Sequence, residues 1–170
     1  DLTRANADLL SLASHDALTG VYNRRRFDEK LAENGLLFQR TGRTFALLLI
    51  DADYFKRVND TYGHAVGDDV LCHLAALIQS TTRATDFVAR YGGEEFAVLL
   101  PEVEEPDSPD VVAEKIRAAV AAAKFPTVDH VTVSIGVSIA LPADRDSLAL
   151  LKRADMQLYE AKAAGRNRVM

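Results

Sequence analysis

This 170-residue chain lacks a basic excess, long apolar runs and any pair of cysteines. Its 20 Lys and Arg stand against 25 Asp and Glu, a formal net charge of −5. That balance argues against a broad footprint for a nucleic-acid polymer or an anionic membrane surface. It leaves room for a small phosphate ligand, which needs only a few placed cations. One cysteine, Cys72, excludes an internal disulfide. It reads as a small core residue rather than a nucleophile. No apolar run reaches the roughly 18 residues of a membrane span. No secretory leader opens the chain, and neither an internal repeat nor a low-complexity tract is visible. The expectation is a cytoplasmic domain that makes no membrane contact of its own. The first residue is Asp rather than Met, so a fragment of a longer protein is expected.

The content is that of one globular domain: 48% hydrophobic and 26% charged residues. Residues 1–14 have a helical pattern, with Leu2, Ala5, Leu9 and Leu12 at heptad spacing. Two readings stay open for them. The helix packs on its own domain, or it is the end of a signalling helix joined to a missing N-terminal regulatory domain. Residues 15–170 then form the main domain. Asp16 to Gly20 breaks the first helix, and a second runs roughly from Asn23 to Arg40. Arg24, Arg25 and Arg26 open it as a charged, solvated face. Thr44 to Asp51 is almost wholly apolar and suits a buried central strand. Helical periodicity returns from about His64 to Ser80. Asp86 to Tyr91 and Glu95 to Leu100 read as strands joined at Gly92-Gly93, a hairpin signal. An acidic loop from Pro101 to Pro109, a helix from Asp110 to Lys124 and a strand from Val131 to Ala140 follow. The last helix spans Ser147 to Ala164, with Ser147 as N-cap and Gly165 as its stop. A short edge strand is expected in Arg166 to Met170. The core order is βαββαβ, an α+β fold of the ferredoxin-like, palm type with a mostly antiparallel sheet.

Two acidic clusters stand out. Asp51-Ala52-Asp53 closes the most buried strand, where an unpaired carboxylate is costly. Asp51 and Asp53 share a parity and so one side of the sheet. Glu94-Glu95 sits at the glycine turn, where two adjacent carboxylates repel unless a cation is near. If these strands are neighbours, Asp51 and Glu94 converge as hard oxygen donors suited to Mg²⁺ or Mn²⁺. Such ions serve phosphoryl chemistry. Cations for phosphate are present in Lys56, Lys162 and Arg166. The Phe55-Lys56 segment begins a helical turn whose free N–H groups suit phosphate. Asn59 to Asp68 is polar and turn-rich, and an Asn with an Asp can read a purine edge. His64, within it, could touch substrate or hold structure.

Together these segments resemble the GGDEF domain, the diguanylate cyclase family. The resemblance runs from Asp16 to Val169. It rests on Asp16-Ala-Leu-Thr-Gly-Val-Tyr-Asn-Arg-Arg-Arg-Phe27, Asp51-Ala-Asp-Tyr-Phe-Lys-Arg-Val-Asn-Asp60, Gly63-His-Ala-Val-Gly-Asp68, Arg90-Tyr-Gly-Gly-Glu-Glu-Phe96, Thr132-Val-Ser-Ile-Gly136, Ala154-Asp155 and Ala161-Lys-Ala-Ala-Gly-Arg-Asn167. The resemblance implies condensation of two GTP into cyclic di-GMP and pyrophosphate across a homodimer. It implies two divalent metals per site on Asp51, Glu94 and the Ala52 carbonyl. Glu94 would take the 3′-hydroxyl proton and Glu95 would support the site. Asn59 and Asp68 would read guanine, with His64 nearby. Phe55, Lys56, Lys162 and Arg166 would meet the phosphates. Arg83-Ala-Thr-Asp86 matches the family's Arg-x-x-Asp inhibitory site for product, with Lys115 as a candidate further cation. Two rivals stay open: a GGDEF-type domain that senses nucleotide without catalysis, and another nucleotide cyclase or palm-type phosphoryl transferase.

Overall fold

The structure, a computed structural model, describes residues 1–105 and 108–170. Ten elements follow one another: α1 (Leu2–Ser14), α2 (Arg24–Thr41), β1 (Ala46–Ala52), α3 (Phe55–Tyr62), α4 (His64–Thr81), β2 (Phe87–Arg90), β3 (Glu95–Leu100), α5 (Ser108–Ala122), β4 (Val133–Ile139) and α6 (Ser147–Ala163). The strands form one sheet in the order β2-β3-β1-β4, every pairing antiparallel. This is the expected α+β, ferredoxin-like plan.

Parity sorts the core. On β1, Ala46, Leu48, Ile50 and Ala52 point to one face and pack with Val70, Leu71, Leu74 and Ile78 of α4 and Ala113, Ile116 and Val120 of α5. Leu47 and Leu49 point to the other face, against Phe27 and Leu31 of α2 and Leu150, Ala154 and Leu158 of α6. All of β1 is buried, which is why its sequence shows no alternation. Because Asp51 and Asp53 share the parity of Leu47 and Leu49, they open toward the C-terminal end of α6.

Several expectations need correction. The turn-rich stretch from Asn59 to Asp68 is mostly helical: it runs through the end of α3, which stops at Tyr62, past Gly63, where φ is 89°, and into the start of α4. Asp146, not Ser147, caps α6; its carboxylate accepts from the Ala149 N–H. Cys72 lies on the edge of the core, half-buried, with Sγ–H directed at the Leu18 carbonyl at 3.3 Å. The three arginines opening α2 are engaged rather than merely solvated. Arg24 lies 4.0 Å over the Tyr91 ring, Arg26 lies 5.7 Å over Phe87, and Arg25 donates to the Ala13 carbonyl at the end of α1. The chain end docks beside β4 through a parallel bridge, Ile135 with Val169, rather than as a full strand. The acidic loop from Pro101 to Pro109 falls partly on residues 106–107, outside the described residues, and Pro109 itself belongs to α5. Among the described residues no helix is long and apolar enough to cross a membrane.

α1 buries none of its residues. Leu2, Leu9, Leu10 and Leu12 are all more than half exposed. Packing of this helix on its own domain is therefore not observed.

Candidate active site

β1 delivers Asp51 to the end of the sheet, where its carboxylate is 5% exposed. Across the ladder its register partner is Glu95, and the next amide, Ala52 N–H, donates to the Glu94 carbonyl at 3.2 Å. The two acidic clusters thus meet, as the sequence led one to expect. Lys162, from the last turn of α6, donates to Asp51 Oδ2 at 2.8 Å. Burial pushes the Asp51 carboxyl up to about 6. The Lys162 hydrogen bond and charge oppose that rise, and the neighbouring Glu94 and Glu95 add to it. A carboxylate crowded by burial and two like charges calls for positive charge, and one ammonium only partly supplies it.

Among the described residues no group of three His, Cys, Asp or Glu side chains gathers for a metal. The expected donor set does not need one: it is two carboxylates and one backbone carbonyl. Hard, anionic oxygens with excess local negative charge fit Mg²⁺ or Mn²⁺.

Asp53 points the same way but is fully committed. It accepts from Thr132 Oγ1 and Ser134 Oγ, each at 2.7 Å, and from the Asn167 amide at 3.0 Å. These bonds tie β1, β4 and the turn after α6 together, so Asp53 builds the site's frame rather than serving as a donor.

Beyond β1 the chain turns at Tyr54, in the left-handed region with φ 56°, and enters α3 at Phe55. No side chain caps that helix start, so its first amides remain available to an anion. Phe55 is buried and anchors the turn, while Lys56 is exposed.

Asn59, in α3, packs against Gly67 of α4, the residue before Asp68. A Cβ on Gly67 would lie 1.9 Å from Asn59 Oδ1. That oxygen is buried and has no hydrogen-bond partner among the described residues. An orphaned acceptor of this kind calls for an explanation, and a ligand donor would supply one. Asp68 is exposed nearby. His64 opens α4, also exposed.

The sequence reading missed the residues that hold the glycine turn. Arg90 donates through Nε to the carbonyls of Gly92 (3.2 Å) and Gly93 (3.1 Å), and through Nη2 to Gly93 at 2.8 Å. Asp16 pairs with the same guanidinium at 3.3 Å. Burial alone would raise the Asp16 carboxyl. The Thr19 hydroxyl and amide, with Arg90, outweigh it and hold the group below the usual carboxylate range. Asp16 and Arg90 are 74 positions apart, so no local pattern links them. Neither Gly92 nor Gly93 adopts a positive φ, and nothing approaches within 4 Å of a Cβ placed on Gly93. The space over that glycine is open.

Arg83 and Asp86 lie before β2, away from this cluster. The Asp86 carboxylate accepts from the Arg83 amide at 2.8 Å. It is raised by burial, against that bond and the Arg83 charge. The Arg83 guanidinium lies only loosely by Glu104, at 3.8 Å. A cavity of about 480 Å³ adjoins them, lined also by His15, Tyr22, Gln79 and Thr82. Lys115 is not part of its lining.

Residues 13–168 match the family described as "Diguanylate cyclase, GGDEF domain". The chain is 45% identical to the response regulator PleD of Caulobacter vibrioides, across 100% of this chain and 38% of that protein. It is 44% identical to the diguanylate cyclase DgcM of Escherichia coli, across 98% of this chain and 40% of that protein. It therefore spans about two fifths of these relatives' lengths. The crystal structure of the coiled coil and GGDEF domain of DgcB from Caulobacter crescentus, in complex with c-di-GMP, matches with a TM-score of 0.91. That match has 33% identity and covers 99% of this chain and 91% of the other.

Proposed function

The chain belongs to the GGDEF domain family, and from that premise we propose that it is a diguanylate cyclase, joining two GTP into cyclic di-GMP with release of pyrophosphate. The observation that carries this reading is the meeting of Asp51 with Glu94 and Glu95 at the end of the most buried strand, with Lys162 against them.

Asp51, Glu94 and the Ala52 carbonyl would hold divalent cations, two per site. When bound, these ions neutralise the triphosphate and make the ribose hydroxyl easier to ionise. Glu94 takes the proton from the 3′-oxygen as that oxygen attacks the α-phosphate, and Glu95 supports it. Lys162, Lys56, Arg166 and the uncapped start of α3 at Phe55 hold phosphate oxygens. Asp68 accepts from the N1–H and N2–H donors of guanine, Asn59 offers both an acceptor and a donor to the same edge, and His64 lies close to substrate. Arg90 keeps the Gly92-Gly93 turn fixed. One domain offers a hydroxyl and another the α-phosphate, so turnover takes a homodimer. The exposed leucines of α1 suit the end of a signalling helix over 1–14, delivered from an N-terminal regulatory domain to the catalytic domain over 15–170. A cytoplasmic setting accords with GTP as substrate.

The rival readings make different products. Incubation with GTP and Mg²⁺, with ATP in parallel, should give cyclic di-GMP from GTP alone. An adenine product would favour another nucleotide cyclase, and nucleotide binding without product would favour a sensor.

Arg83 and Asp86 are proposed to bind cyclic di-GMP as an inhibitor beside the cavity near β2. Arg83→Ala should raise the concentration of cyclic di-GMP needed for half-inhibition by about tenfold or more, the loss expected for a bidentate Arg contact. Titrating the product into the GTP reaction measures it. An unchanged inhibition curve would remove this site.

A further inference from the structure

Arg166 and Asn167 hold φ of 66° and 47°, a conformation that asparagine tolerates and that is costly for arginine. Such a turn persists only where its surroundings hold it. Here they do so from three sides. Asp53 accepts the Asn167 N–H. Arg117 of α5 donates Nη1–H to Asn167 Oδ1 at 2.9 Å. The Arg166 guanidinium lies 4.7 Å over the Tyr54 ring. Each support is itself fixed. Arg117 is oriented by bonds of 2.6 to 3.1 Å to the Glu114 carboxylate. The same Tyr54 ring carries a second guanidinium, Arg57, at 4.6 Å. Among the described residues neither Arg57 nor Arg166 has a carboxylate partner, whereas Arg24, Arg25 and Arg26 of α2 and Arg153 of α6 do.

The result is a cation aimed before any anion arrives. A guanidinium grips phosphate through a planar fork, so its direction matters as much as its charge. Two elements outside the acidic clusters set that direction: a ring at the end of β1 fixes the head of Arg166, and a helix across the domain fixes its backbone. We propose that Tyr54 and Arg117 are positioning residues for the substrate's phosphate groups, acting on Arg166 by ring stacking and through Asn167 respectively. The proposal rests on the reading of the chain as a cyclase that uses GTP. It adds a consequence: part of the affinity for triphosphate is set from α5, through a residue that touches no substrate.

The test compares wild type with Arg117→Ala, Tyr54→Leu and Tyr54→Phe. Two quantities are measured: steady-state turnover of GTP with Mg²⁺, and equilibrium binding of 3′-deoxy-GTP, which lacks the attacking hydroxyl. In Arg117→Ala and Tyr54→Leu, KM and the Kd for 3′-deoxy-GTP should each rise about fivefold, with kcat within about twofold. Tyr54→Phe keeps the ring and should restore wild-type values. A fall in kcat with both KM and Kd unchanged, or no change in either variant, would overturn the positioning role. A wild-type chain that binds 3′-deoxy-GTP yet makes no cyclic di-GMP would strike the cyclase reading alone. Weakened binding in the two variants would then still support the role of Tyr54 and Arg117.

Discussion

Asp51→Asn should lower cyclic di-GMP formation by about a thousandfold or more, at little cost to the fold. Asparagine has nearly the shape of aspartate and can still accept the Lys162 hydrogen bond, now 2.8 Å long. It cannot carry the charge. The native carboxylate is crowded, pushed up to about 6 by burial, with Glu94 and Glu95 adding to the rise. Removing its charge relieves that repulsion, and Lys162, one third exposed, can turn to water. The folded state therefore loses little while the proposed donor for a divalent cation is lost. Turnover and thermal unfolding measured on the same preparation separate the two effects. Activity above about a tenth of wild type in a folded Asp51→Asn protein would contradict a metal role of the expected size.

The second large effect lies far from any charge. Gly136 sits mid-strand in β4, opposite Leu49. A Cβ there would come within 2.2 Å of the Ala154 carbonyl oxygen and 2.4 Å of the Leu158 nitrogen. Both are backbone atoms of α6, which cannot rotate aside as a side chain could. Gly136→Ala should therefore push α6 off the sheet. We expect a loss of about 3 kcal/mol, a melting temperature lower by roughly 6–12 °C. Because the last turn of α6 carries Lys162, KM for GTP should rise as well. Thermal unfolding decides it. A variant that melts with wild type would mean the helix does not sit as close to β4 as described. Gly93→Ala is the natural control, since nothing lies near the added methyl.

What the sequence revealed and what it hid follow from the range of each interaction. β1 was legible because burial on both faces leaves an unbroken apolar run. The hairpin was legible from its glycines, and the Asp51 and Glu94 clusters from charge at strand ends. The fold followed from element order. Local rules failed where the deciding contact is local but competitive: Asp146 and Ser147 are both good caps, and only the structure shows which one the Ala149 amide meets. The helical state of Asn59 was hidden because the Asn59–Asp68 stretch is rich in turn-forming residues, although packing of Phe55 and Val58 holds α3 in place. Other features have no local signal at all. Asp16 meets Arg90 across 74 positions, and Asp53 meets Asn167 across 114. Arg24, Arg25 and Arg26 resemble any solvated charge run until Tyr91, the end of α1 and Phe87 are brought against them.

The most direct test of the central claim is the identity of the product. Wild type and Asp51→Asn are incubated side by side with GTP and Mg²⁺ at protein concentrations that allow pairing, and the nucleotides are resolved by chromatography and mass. Wild type should yield cyclic di-GMP with two pyrophosphates per product, and Asp51→Asn should yield essentially none. Unconsumed GTP in both reactions, or a product other than cyclic di-GMP in the first, would contradict it.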